Sequence, residues 1–266
     1  ASKAFEYCIS LPNIVIPDNV KEIGTYAFNG CRNMTTAILP AHLTKIGMYT
    51  FQGCSSLTSI SIPGSVKTIG PCAFAGCSSL SSIDFVDDTQ LEALYDGAFD
   101  DTPWYKNLPD GLCYIGNVLY KYVGEMPLNT QLAIKEGTVF VCSNAFKGCR
   151  GLTAITFPES APTLMMSAFD GCFLENVKIK DSQTPMFDAF SDRTYQHAVL
   201  YIPVGTWSEI VYGDSYWYKF NHIKESATVT EQLSKTCAYN MMDANTFAYA
   251  VYDDVNDEVR MVSSIN

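Results

Sequence analysis

A single phrase, Ile-Gly-x-x-Ala-Phe-x-Gly-Cys, returns along the chain at a fixed interval, and that interval limits what the chain can fold into. Phe5, Phe28, Phe51 and Phe74 lie 23 residues apart, each followed three residues later by a cysteine (Cys8, Cys31, Cys54, Cys77). Phe99 follows after 25, and the register resumes at Phe146 and Phe169 with Cys149 and Cys172. Ile23-Gly24, Ile46-Gly47 and Ile69-Gly70 sit upstream, and Pro17, Pro40, Pro63 and Pro158 each close a short apolar alternation. A repeat of this length is the signature of a solenoid, whose coils bury their apolar sides only by stacking.

One unit shows how. In "LTSISI" (57–62) Leu57, Ile60 and Ile62 alternate with Ser59 and Ser61, the pattern of a half-buried strand. Pro63 cannot donate to a ladder, so it ends the strand. Val66, Ile69 and Phe74 then point inward on the return side, and Gly76 permits the bend into the next strand. Stacking predicts Phe74 between Phe51 and Phe99.

The ten cysteines fit this account better than a disulfide framework. Equivalent positions in neighbouring coils lie about 4.8 Å apart. Parallel Cα–Cβ bonds keep the Cβ atoms at that spacing, beyond the roughly 3.8 Å of a disulfide. The ladder cysteines therefore read as small buried thiols. Cys72, Cys113, Cys142 and Cys237 fall off the ladder, and a pair among them stays open.

The full unit, Leu-x-x-Ile-x-Ile-Pro-x-x-Val-x-x-Ile-Gly-x-x-Ala-Phe-x-Gly-Cys, resembles the BspA-type leucine-rich repeat, found in surface proteins of host-associated anaerobic bacteria. The resemblance covers roughly residues 1–225. It implies a right-handed leucine-rich-repeat solenoid with a parallel β-sheet on one face, an extracellular or cell-surface location, and adhesive or recognition roles. "ASKAFEYC" starts partway through a repeat and carries no secretory signal, which suggests a trimmed or processed end.

The register breaks at residues 100–127. "GLCYIGNVLYKYVG" reads as a β-hairpin around Gly116-Asn117. Trp104, Tyr105, Tyr114, Tyr120 and Tyr122 make this insertion either a protruding contact element or a cover for a coil that lost its own core residues. Residues 182–225 read as a closing cap. There "VLYIP" (199–203) is the last repeat-type strand, followed by a helical stretch burying Trp207, Ile210, Tyr216, Trp217 and Phe220. Residues 226–266 carry no repeat, and two strands flank the acidic turn 253–258, a β-hairpin segment or small β module. Asp253, Asp254, Asp257 and Glu258 hint at calcium, but their spacing matches no EF-hand loop and a solvated turn is the plainer reading.

Signals for chemistry are sparse. His42, His197 and His222 follow no metal or triad spacing, and no phosphate-binding, nucleophile-elbow or zinc motif occurs. Asp87-Asp88 and Asp100-Asp101 are adjacent in loops, which sends their side chains apart. No cofactor or metal is implied. A net charge of −11 argues against nucleic acid as partner, and no run approaches the roughly 18 apolar residues of a transmembrane segment.

The surface remains. Outward strand positions form two columns, Asn13, Thr36, Ser59, Ser82, Gln131, Ala154, Asn176 and Val15, Ile38, Ser61, Asp84, Ala133, Thr156, Lys178, Tyr201. Candidate contacts are Ser59, Ser61, Asp84, Thr156, Asn176, Lys178 and Tyr201. The expected function is non-enzymatic binding or adhesion, with a protein or glycan ligand, host-derived ligands included. A structural spacer displaying another domain and a hydrolase with an unrecognised site are the alternatives.

Overall fold

A computed structural model describes residues 1–86, 90–182, 186–213 and 216–226, with the backbone of strands Thr236–Asp243, Thr246–Asp253 and Glu258–Ser263. The chain divides into two compact units, Ala1–Gly124 and Glu125–Asn266. Both are parallel-sheet solenoids with coils of about 23 residues.

In the first unit, strand Asn13–Val15 pairs in parallel with Thr36–Ile38, and Ser59–Ile62 with Ser82–Phe85. Alternation places Ile60 and Ile62 in the core and Ser59 and Ser61 in solvent. The Ile-Gly positions add a second parallel sheet, Glu22–Ile23, Lys45–Ile46, Thr68–Ile69 and Ala93–Leu94 in that order. Two residues per strand are too few to show alternation, so only the recurring Ile-Gly marks this sheet in the sequence. Between the sheets runs a stack of rings. Phe5, Phe28, Phe51 and Phe74 succeed one another at 5.2 Å between centroids, and Phe74 meets Phe99 at 5.5 Å, with planes within 13° of parallel. Phe51, Phe74 and Phe99 are fully buried, each contributing roughly 1.5–3 kcal/mol.

The insertion opens with the short helix Pro103–Lys106. The Thr102 hydroxyl caps it by accepting from the Tyr105 N–H, and Pro103 sits where no N–H is needed. The hairpin Gly111–Ile115 and Val118–Val123 follows, its register shifted between Leu119 and Lys121.

The second unit carries the longer sheet. Thr130–Ala133, Leu152–Thr156, Asn176–Lys178, Val199–Pro203 and His222–Ser226 run in parallel, and three antiparallel strands, Thr236–Asp243, Thr246–Asp253 and Glu258–Ser263, extend it. Phe146, Phe169 and Phe190 stack at 4.9 and 4.8 Å.

Several expectations need correction here. Strand Val199–Pro203 is not the last of its type, because His222–Ser226 pairs beside it. The single helical stretch is instead helix Trp207–Tyr212, a 3-10 turn Tyr216–Lys219, and that strand. Of its five proposed core residues, Ile210, Trp217 and Phe220 are buried, whereas Trp207 is half-buried and Tyr216 is exposed. His197 closes helix Asp192–His197, and His222 begins strand His222–Ser226. Among the described residues no helix is long and apolar enough to cross a membrane.

Candidate binding faces

Strand pairing converts repeat spacing into aligned surface positions. In the first unit Ser61 lies opposite Asp84, and its hydroxyl donates to Asp84 Oδ2 at 3.3 Å; Ser59 lies opposite Ser82. These side chains are exposed. A shallow concavity of about 450 Å³ lies beside Ser61, walled by Ala37, Ile38, Leu39, Pro63 and Val86. Val15 and Ile38, one register pair, are exposed at 64% and 54%, so this end of the face is apolar.

In the second unit the register runs Ala133, Thr156, Lys178, Tyr201 and then Lys224, beside Gln131, Ala154, Asn176, Val199 and His222. Thr156, Asn176, Lys178 and Tyr201 are half-buried, propped by their neighbours in the column. Lys224 places its ammonium 5.9 Å from the Tyr201 ring centre. Lys224 and His222 escaped the sequence reading although "HIKES" alternates, because the preceding aromatics read as helix.

Three of the insertion's aromatics, Trp104, Tyr105 and Tyr120, pack inward. Trp104 packs edge-on against Phe99 at 4.9 Å and lies 6.1 Å from Phe85. Tyr120 is 7% exposed and meets Phe99 at 5.9 Å. Tyr105 packs on Tyr120 and accepts a hydrogen bond from Lys121. Tyr114 and Tyr122 are half-buried on the hairpin. Trp104 and Tyr120 close the Phe stack of the first unit against Phe99.

The ladder cysteines form no disulfide and are mostly buried. Burial pushes the Cys31 thiol up to about 11, with Cys54 adding to the effect. Cys172 is raised to about 12 by burial and by Cys149. Cys54 is also raised, by its neighbour Cys77 and by burial. A thiol held protonated is a poor nucleophile, so these positions suit packing. Off the ladder, Cys72, Cys113 and Cys142 form no disulfide either; the Cys237 side chain lies outside the described residues. Among the described residues one carboxyl, that of the exposed Asp100, is raised above its usual range, by partial desolvation and by Asp96 and Asp101. Among the described residues no group of three or more His, Cys, Asp or Glu could hold a metal. Asp87, Asp88, Asp254 and Asp257 lie outside the described residues, and the Asp253 and Glu258 backbones pair between strands.

The family model described as "BspA type Leucine rich repeat region" matches residues 1–126 and 114–199, in six copies. No curated protein matches the chain. Among solved structures, a leucine-rich repeat protein from Bacteroides ovatus ATCC 8483 is similar at 20% identity and a TM-score of 0.35, covering 76% of this chain and 71% of its own. A leucine rich cell surface protein from Faecalibacterium prausnitzii A2-165 aligns at 20% identity and 0.30, covering 82% and 80%. The pneumococcal vaccine antigen PcpA aligns at 14% identity and 0.31, covering 77% of each chain.

Proposed function

Because the chain belongs to the BspA-type leucine-rich repeat family, we propose that it is a non-enzymatic binding protein, displayed outside the cell, which recognises a protein or glycan ligand through its repeat scaffold. The observation that carries this reading is the column Thr156, Lys178, Tyr201 and Lys224, held in register by parallel strands of the second unit. Side chains fixed at strand spacing on a packed support lose little entropy on binding. Tyr201 supplies an aromatic contact and Lys178 a charge, with Ser59, Ser61 and Asp84 as the corresponding face of the first unit. In this reading residues 1–225 are the scaffold and residues 226–266 a small β module that continues from it.

The test is a protein and glycan array probed with the chain and with Lys178→Ala, Tyr201→Ala and Ser61→Ala/Asp84→Ala variants. At least one hit weakened tenfold or more by a column variant is expected. An array with no hit overturns the reading and favours a spacer role.

A further inference from the structure

Only four arginines occur in the chain, and two of them converge on one cleft of the second unit. Arg150 follows Cys149 and Phe173 follows Cys172, the same repeat position in successive coils, while Arg193 lies on helix Asp192–His197. The Arg193 guanidinium carbon is 4.3 Å from the Phe173 ring centre and that of Arg150 is 6.0 Å away. Phe173 is 44% exposed. The cleft measures about 280 Å³, and Asn129, Thr153, Glu175 and His197 supply its other polar walls. Neither arginine has a salt-bridge partner among the described residues, Glu175 included.

A guanidinium lying on an aromatic face is held by that face, and its N–H edge stays open to a planar anion. Two such forks on one wall match a carboxylate, which each can grip through paired hydrogen bonds. We propose that this cleft binds the carboxylate-bearing residue of an acidic glycan, a uronic or sialic acid. The inference rests on the reading of the chain as a binding scaffold, but places an anionic subsite off the strand columns. The volume, about 280 Å³, falls just below the usual range of ligand sites, about 300–1,000 Å³, which suits one sugar ring and leaves little room for a peptide side chain with its backbone. The polar walls offer donors and acceptors for ring hydroxyls. A peptide would gain most by adding a strand at a free sheet edge, and the adjoining strand Leu152–Thr156 is paired on both sides. An anionic site within a chain of net charge −11 must work at contact range, because the overall field repels the ligand.

Isothermal titration with trigalacturonic acid and 3′-sialyllactose, with lactose as the neutral control, tests this on the full chain. At least one acidic glycan should bind and lactose should not. Arg150→Gln and Arg193→Gln should each weaken binding tenfold or more, with Lys147→Gln unchanged, and 300 mM salt should weaken the wild type several-fold. Circular dichroism of the Gln variants checks that they fold, and Arg193→Lys, which keeps charge but loses the fork, should bind at an intermediate level. Equal binding of lactose, undiminished binding by both Gln variants, or preference for an oligoglutamate peptide would overturn the inference. Acidic-glycan binding lost in Tyr201→Ala but kept in the Gln variants would sink the cleft while leaving the scaffold reading standing. No binding of either acidic glycan also sinks the cleft, and the array then decides the scaffold reading separately.

Discussion

The Cys54 thiol donates to the Phe28 carbonyl at 3.2 Å, 26 residues back and one coil away. The same bond joins Cys31 to Phe5, Cys77 to Phe51 and Cys172 to Phe146, each at 3.1 Å. The cysteine is thus more than a small hydrophobe: it ties its own turn to the turn beneath. Cys54→Ala removes a buried donor and leaves a small void, so a loss of about 1–2 kcal/mol is expected. Cys54→Ser, which keeps a donor, should lose less. Urea unfolding of the two variants reads the difference, and equal midpoints for wild type and Cys54→Ala would show the bond to be idle.

The same burial makes stability fall in alkali. A thiol whose folded pKa lies above its unfolded value of about 8.5 contributes its full share below that pH. As pH rises further the unfolded chain ionises and the folded one does not, so the contribution is lost. For Cys31 the loss should run to about pH 11 and for Cys172 to about pH 12. Thermal unfolding between pH 7 and 11 should show a falling Tm, and a Cys172→Ala variant should show a shallower fall.

Gly47 is required for space. A Cβ built there would lie 2.8 Å from the Gly24 carbonyl carbon and the Ile23 oxygen in the coil beneath, and backbone cannot swing aside. The coils approach this closely because Gly47 N–H donates to the Ile23 carbonyl at 2.8 Å. Gly47→Ala should therefore cost about 1–3 kcal/mol by overpacking. Gly53→Ala should cost about 1–2 kcal/mol for another reason, its left-handed φ of +68°, since a Cβ there would make only an ordinary contact with Gly30 Cα at 4.0 Å. Chemical denaturation of both checks this, and Gly47→Ala at wild-type stability would contradict the close approach.

Trp104 separates cover from contact. Its ring closes the first unit's stack against Phe99, and removing a half-buried ring of this size should cost about 2 kcal/mol. Trp104→Ala should lower the Tm and leave array hits of the folded protein unchanged. A lost hit at unchanged stability would instead make the insertion a binding element.

How much of this was legible in the sequence follows from what the repeat constrains. Phe28, Phe51 and Phe74 stand out because each is the floor of the next, so the chain cannot vary them. Phe190 continues the second unit's stack but escaped notice: Ala189-Phe190 keeps the signature, yet it comes 21 residues after Phe169 and no Gly-Cys follows. Asp188 and Tyr195 fill that gap, the Tyr195 hydroxyl donating to Asp188 Oδ1 at 3.1 Å while Lys219 approaches the same oxygen at 2.8 Å. The helical reading of 205–225 failed because aromatic spacing alone cannot show the break after Tyr212. The arginine cleft was illegible for the opposite reason to the Phe stack. Position for position after the cysteines, Ser55 and Ser78 become Arg150 and Phe173, and a search for sameness passes over what changes.

The residue before each Ala-Phe or Thr-Phe pair is left-handed throughout, and this predicts a stabilising change. Lys3, Tyr26, Tyr49, Cys72, Asn144 and Ser167 have φ between 51° and 60° there, and Gly97 has 66°. The turn needs this conformation because it brings the following N–H groups onto the carbonyls of the next coil, as Phe146 N–H onto Ala168 O at 2.7 Å. For a residue with a Cβ the conformation costs roughly 1–2 kcal/mol, and glycine avoids it at an entropic cost of about 0.5–1 kcal/mol. Ser167→Gly should therefore stabilise the second unit by about 0.5–1 kcal/mol, and Ser167→Val, with a branched Cβ, should destabilise it by more than about 1 kcal/mol. Differential scanning calorimetry distinguishes the signs. A Tm lowered by Ser167→Gly would mean that the serine side chain contributes more to the turn than its backbone strain costs.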